Sequence, residues 1–297
     1  MSTLSVETSC DVTRLPLGRP DFSDIRQHGD VYVDKTALIY GLARLRVPLF
    51  LSRPRRFGKS LLVSTLQSLF AGKLEDFQGL AIDGHWQDTS YRVVRIDFSG
   101  LADLNVKEIN RELGEILLQN FGVYGKISAL DEKGEYRLPS SLLREIANSL
   151  QNSSTVLLID EYDAPLTHHL DKTDELQKIT SIFNNFYAIV KEYTSKFRFI
   201  FITGVTRIAH VSIFSAFNNL RDMSFENKYN TLLGFTQDDI RCYFDQYIDN
   251  AAQVLGMSKD AVYTRLEQCY DGYQVAFDSD KTLYNPWSIL SFLQKNT

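Results

Sequence analysis

Four short apolar runs punctuate the chain, at residues 48–51, 91–98, 155–159 and 197–203. Each is only a few residues long, which suits strands rather than helices. The third, Thr155-Val156-Leu157-Leu158-Ile159, is apolar and rich in β-branched side chains, the pattern of a central strand buried on both faces. Between the runs the apolar positions change to helical spacing. Leu62, Leu66 and Leu69 share one face, as do Val106, Ile109, Leu113, Ile116 and Leu117. So do Leu142, Leu143, Ile146, Ala147 and Leu150, and then Leu176, Ile179, Phe183, Phe186, Val190 and Tyr193. A further helix is expected over residues 37–45, with Asp34 or Thr36 as its cap. Residues 121–138, with Gly122, Gly125 and Gly134, read as a loop. Strands separated by helices predict an α/β domain built on a mainly parallel sheet, with its ligand at the carboxyl ends of the strands.

From about residue 230 the pattern becomes helical throughout. Thr236, with Asp239 three residues on, is an N-cap ahead of Ile240, Tyr243, Phe244, Tyr247 and Ile248 on one face. Ser258 caps a run through Val262, Leu266 and Cys269, Asp271-Gly272-Tyr273 is a turn, and Asn285-Pro286-Trp287 opens a last helix. The predicted organisation is a core over residues 1–229, with a polar, disordered stretch at 1–14, and a small helical lid over 230–297. The chain stops inside or just after an apolar helix, so a fragment of a longer protein is expected.

Composition narrows the function classes. A net charge of −5 and a pI near 5.6 argue against a surface that coats nucleic acid. Cys10, Cys242 and Cys269 are far apart and form no C-x-x-C, as expected of reduced thiols in the cytoplasm. No apolar run reaches the ~20 residues of a membrane span, and no secretory signal is visible.

The first apolar run leads into Arg53-Pro54-Arg55-Arg56-Phe57-Gly58-Lys59-Ser60 and then a helix. Strand, loop, Gly-Lys-Ser and helix is the setting of a phosphate-binding loop. Amides at a helix N-terminus lack intrahelical acceptors and carry partial positive charge, and a phosphate satisfies both. Gly58 admits close approach of the backbone, Lys59 reaches the β/γ phosphates, and Ser60 offers a hydroxyl to Mg²⁺. Arg53 stands where the general pattern has its first glycine, and the plainer alternative is a basic turn capping a core helix. Arg55 and Arg56 either touch phosphates or form a solvated basic face.

Asp160 and Glu161 close the third apolar run. In a nucleotide hydrolase the first carboxylate of such a pair holds Mg²⁺ and the second positions the attacking water. The alternative is a pair of helix caps. Arg207 follows the fourth run and could meet γ-phosphate oxygens, or pair with a carboxylate such as Asp163. The adjacent His168 and His169 cannot share a helix face, which argues against a metal site. Asn218 and Asn219 fit a turn, and Glu226-Asn227-Lys228 a loop without the strand a nuclease site needs.

These stretches together resemble the bacterial AAA-ATPase-like proteins, many of which carry a PD-(D/E)XK nuclease-like domain after the ATPase. The likeness rests on Leu17-Gly18-Arg19-Pro20-Asp21-Phe22, Tyr32-Val33-Asp34-Lys35-Thr36, the loop at 53–60, Leu158-Ile159-Asp160-Glu161-Tyr162-Asp163, Thr203-Gly204-Val205-Thr206-Arg207-Ile208 and Tyr284-Asn285-Pro286-Trp287. The resemblance implies an AAA-like sheet in which the fourth strand lies between the loop strand and the Asp160 strand. It implies ATP and Mg²⁺ as ligands, Lys59 and Ser60 as the Walker A pair, Asp160 and Glu161 as the Walker B pair, and Arg207 as a sensor. A nucleic-acid or nuclease partner and self-association belong to the same expectation. The leading reading is an ATPase whose turnover drives the lid; its rival is a nucleotide-gated interaction module with little turnover.

Overall fold

In a computed structural model of the chain, residues 14–89, 91–123, 125–206, 217, 219–274 and 282–296 are described. The apolar runs form β1 (Leu49–Ser52), β2 (Arg92–Asp97), β3 (Thr155–Asp160) and β4 (Phe197–Gly204). A two-residue β5 (Arg221–Asp222) completes a five-stranded sheet in the order β2-β3-β4-β1-β5, every pairing parallel. β4 lies between β1 and β3, as the resemblance implied.

Alternate side chains of each strand enter opposite cores. Phe50, Ile96, Leu157, Ile159, Ile200 and Ile202 face one apolar cluster; Leu49, Leu51, Val156, Leu158, Phe199 and Phe201 face the other. Both faces are covered, which is why β1, β3 and β4 read as continuous apolar runs. The first face is covered by α4 (Val106–Asn120), α5 (Pro139–Ser149) and α7 (Thr173–Glu192). The second is covered by α1 (Phe22–Gln27), α2 (Thr36–Ala43) and α3 (Lys59–Ala71). Between β3 and α7 lies the one-turn α6 (Ala164–Thr167). The N-cap of α2 is Lys35, with no side-chain cap bond, rather than the expected Asp34 or Thr36; Asp34 Oδ1 accepts from the amide and hydroxyl of Thr36, and Oδ2 from the Ala81 amide.

Beyond residue 230 come α8 (Gln237–Tyr243), α9 (Asp245–Leu255), α10 (Lys259–Tyr270) and α11 (Pro286–Lys295), with a small antiparallel pair, β6 (Tyr273–Gln274) and β7 (Thr282–Leu283). The expected caps Thr236 and Ser258 are present: Thr236 and Asp239 form a capping box and Ser258 accepts from Ala261 N; Asn285 also caps the last helix, accepting from Ser288 N. The face read as one helix from Ile240 to Ile248 is broken at Phe244, the residue between α8 and α9. These helices build a third apolar cluster, against which Leu15, Leu17, Val31 and Val33 also pack.

Candidate nucleotide site

Three segments leave the carboxyl ends of adjacent strands and meet at one edge of the sheet. The first is the loop between β1 and α3. Its backbone turns through left-handed positions at Arg56 (φ 68°) and Gly58 (φ 93°), and α3 then starts at Lys59 with no side-chain cap. The first amides of α3 are therefore left for a ligand or water. Lys59 is 6% exposed, and its Nζ donates to the carbonyls of Arg53 and Pro54, both at 3.0 Å. Burial pushes its pKa down, opposed by Asp160, Glu161 and Asp163. The loop thus holds an ammonium folded back on its own carbonyls, close to three carboxylates.

The second segment is the end of β3. Asp160 is fully buried, and its Oδ1 accepts from the Glu161 amide at 3.0 Å. Oδ2 is buried, accepts no hydrogen bond among the described residues, and has Arg95 Nη2 at 3.8 Å. Burial raises the Asp160 pKa; the Ser60 side chain and Arg95 oppose the shift, and Asp97 adds to it. Glu161 is half-buried and holds φ 49°, a left-handed conformation uncommon for its type. Burial, then Asp97 and Asp160, raise its pKa, which suits a group that must accept a proton near neutral pH.

The third segment follows β4. The backbone of Gly204 is pressed against Tyr162 and Asp163, whose side chains occupy the space a Cβ would need. The Asp163 carboxylate accepts from Val205 N (3.1 Å), Thr206 N (2.8 Å) and Thr206 Oγ1 (2.8 Å), and Tyr162 Oη donates to Thr206 O at 2.7 Å. These bonds tie the turn after β3 to the segment leading toward Arg207. Arg207 itself lies outside the described residues, as does Asn218.

A cavity of about 440 Å³ opens here, a size that suits a small ligand. Its polar lining includes Arg55, Arg56, Gly58, Lys59, Ser60 and Glu161; its apolar lining includes Val33, Phe235, Phe244 and Trp287.

The side chain of Arg53 does not line this cavity. It is 3% exposed, and its Nη1 donates to the carbonyls of Ser52 (2.9 Å) and Ser224 (2.6 Å), with Tyr229 O at 3.4 Å from Nη2. Burial pushes its pKa down to about 10 against the pull of Asp222. What Arg53 offers the loop is its carbonyl, to Lys59. The Arg56 guanidinium lies over the Trp287 ring, 4.6 Å from its centroid.

Sequence reasoning missed Asp97, which pairs in register with Asp160 and raises the pKa of both Asp160 and Glu161. It stands at the end of its strand as Asp160 does, and that signal would have found it. His168 meets Asp103, and the ring of buried His169 meets Pro165 O. Glu226 pairs with Arg221, and residues 227–229 form a 3₁₀ turn rather than open loop. Among the described residues, no group of three or more His, Cys, Asp or Glu is placed to hold a metal ion. A cation at Ser60 and Asp160 would take its remaining oxygens from ligand phosphate and water, which is how Mg²⁺ is usually bound. The buried Asp160 Oδ2, with no hydrogen-bond donor, fits that arrangement.

Residues 16–214 match the family model described as "AAA-ATPase_like: Predicted AAA-ATPase". The chain is also 33% identical, over 285 residues, to the "Uncharacterized protein in vnfD 5'region" of Azotobacter chroococcum mcd 1. That match takes in 95% of this chain and 52% of the relative, so the chain spans about half the relative's length. With the sheet order and the family match in agreement, this chain belongs to the predicted AAA-ATPase family.

Proposed function

We propose that the chain binds ATP with Mg²⁺ at residues 53–60 and hydrolyses it, and that residues 230–297 act as a lid driven by turnover, in the cytoplasm. The observation that carries this reading is the buried Lys59, held on loop carbonyls behind a left-handed Gly58 and facing Asp160 and Glu161 across the strand ends. A polyphosphate would replace those carbonyls as the partner of Nζ and fill the open amides of α3. Ser60 Oγ and Asp160 Oδ2 would hold Mg²⁺, which supplies charge neutralisation at the phosphate oxygens.

Glu161 is the base. Its carboxylate takes a proton from a water whose oxygen bonds to the γ-phosphorus as the bond to the bridging oxygen breaks, and ADP departs with that electron pair. Arg207, by its position after β4, senses the γ-phosphate. A homo-oligomer, and a nuclease or nucleic-acid partner, belong to the same proposal.

Phosphate release under saturating Mg-ATP, beside a binding curve for each variant, tests the assignment. Glu161→Gln keeps the size of the side chain and loses the base, so binding survives while turnover falls by roughly 10²–10⁴-fold. Asp160→Asn weakens nucleotide binding as well. Wild type without release above background would leave a nucleotide-gated interaction module as the better account. A Glu161→Gln variant as fast as wild type would remove Glu161 from the chemistry.

A further inference from the structure

Asn285-Pro286-Trp287 has no part in the chemistry above, yet it sits against the phosphate loop. Asn285 Oδ1 accepts from Ser288 N and caps α11, while its Nδ2 donates to Arg55 O at 3.4 Å. Pro286 starts the helix where a missing N–H costs nothing. The Trp287 indole then meets two parts of the core at once. The Arg56 guanidinium lies over its ring, and a Cβ added to Gly18 would stand 3.7 Å from Cζ3. The next loop residue is held from the same side: Gly234 N donates to Phe57 O at 3.3 Å, and Tyr273 meets the Phe57 ring edge-on at 4.8 Å. Residues 55, 56 and 57 each have a partner beyond residue 230.

Arg56 is the residue that needs such help. Its φ of 68° is a left-handed conformation that arginine disfavours, and a non-glycine residue stays there only when its surroundings hold it. Behind it, the Arg53 side chain anchors the loop start to Ser224 and Tyr229. Ahead of it, Gly58 turns into α3. Between these points, the Arg56 guanidinium lies over the Trp287 ring.

We infer that Asn285-Pro286-Trp287 is a positioning motif for the phosphate loop: Trp287 clamps the Arg56 side chain, and Asn285 the Arg55 carbonyl, so that the loop amides face the cavity before any ligand arrives. Neither side chain touches a reacting atom. The functional consequence, tighter binding of polyphosphates, rests on the reading above; the clamp itself belongs to the ligand-free chain.

Amide hydrogen exchange of the full 297-residue chain without ligand, followed over residues 53–60, tests the clamp directly. A cation–π contact of this kind corresponds to a factor of roughly 2–30 in an equilibrium. Trp287→Ala should speed exchange of the loop by a factor in that range, and Trp287→Phe, which keeps a π face, should restore most of the protection. Arg56→Ala, which leaves the lid's own packing intact, should reproduce the loop effect and add nothing in the Trp287→Ala background. Calorimetry with inorganic tripolyphosphate, a probe with no nucleoside, should show weakening by a similar factor in Trp287→Ala. Unchanged loop exchange in Arg56→Ala or Trp287→Ala overturns the clamp whether or not tripolyphosphate binds. Loop exchange that behaves as expected in a chain that binds no tripolyphosphate leaves the clamp standing and removes the phosphate-binding reading.

Discussion

Replacing Arg53 by glycine would restore the general phosphate-loop pattern, and on sequence grounds the change should do no harm. The structure predicts the opposite. The guanidinium is buried and donates at 2.9 Å and 2.6 Å to Ser52 O and Ser224 O, with Tyr229 O at 3.4 Å. Ser224 and Tyr229 are themselves buried, so no water replaces the lost donor without rearrangement. A buried acceptor left unpaired costs about 1–3 kcal/mol, and charge-assisted bonds lie at the upper end of hydrogen-bond contributions. Glycine adds about 0.5–1 kcal/mol through the freedom of the unfolded chain. Against this stands the burial cost that pushes the Arg53 pKa down to about 10, and that cost disappears with the side chain. The balance is a loss of about 2–4 kcal/mol. With a urea slope of about 2–3 kcal/mol/M, the unfolding midpoint should fall by about 1 M. The assay is equilibrium urea unfolding of wild type and Arg53→Gly followed by far-ultraviolet circular dichroism. An unchanged midpoint, together with improved nucleotide affinity, would refute the claim that Arg53 is an anchor between the loop and β5.

Gly204→Ala should cost about 1–3 kcal/mol or more, because a Cβ there meets Tyr162 and the Asp163 carboxylate that organises residues 205–206; thermal unfolding reads the loss, and an unchanged midpoint would refute the tight packing. Arg207→Ala should weaken ATP more than ADP in a binding assay, since only ATP offers the γ-phosphate; equal weakening of both would assign the side chain to structure instead.

Much of the fold was legible because its strands are buried on both faces, and β1, β3 and β4 are continuous apolar runs for that reason. β5 was not, because Arg221-Asp222 carries no apolar signature. It is a strand only through the bonds Arg221 N to Pro48 O and Met223 N to Phe50 O, which depend on β1. The break at Phe244 was hidden in the same way: the apolar face continues through it, and the backbone alone changes direction. In the site, Lys59, Asp160 and Glu161 were legible from local context, each being adjacent to a strand end or a helix start. The part of Arg53 was not, since its partners Ser224 and Tyr229 lie 171 and 176 residues away in sequence. Asp163 accepts from the backbone after β4, a contact that only the β3-β4 pairing creates, and its expected pairing with Arg207 lies outside the described residues.

Calorimetry of Mg-ATP against wild type and Lys59→Ala tests the central claim most directly. Nζ donates to two loop carbonyls, and a polyphosphate would take their place. Losing a charge-assisted phosphate contact costs roughly 1.5–3 kcal/mol. The account therefore predicts saturable binding by wild type and a dissociation constant weaker by about 10- to 150-fold in Lys59→Ala. Equal affinity in the two proteins, or no binding by a folded wild type, would contradict it.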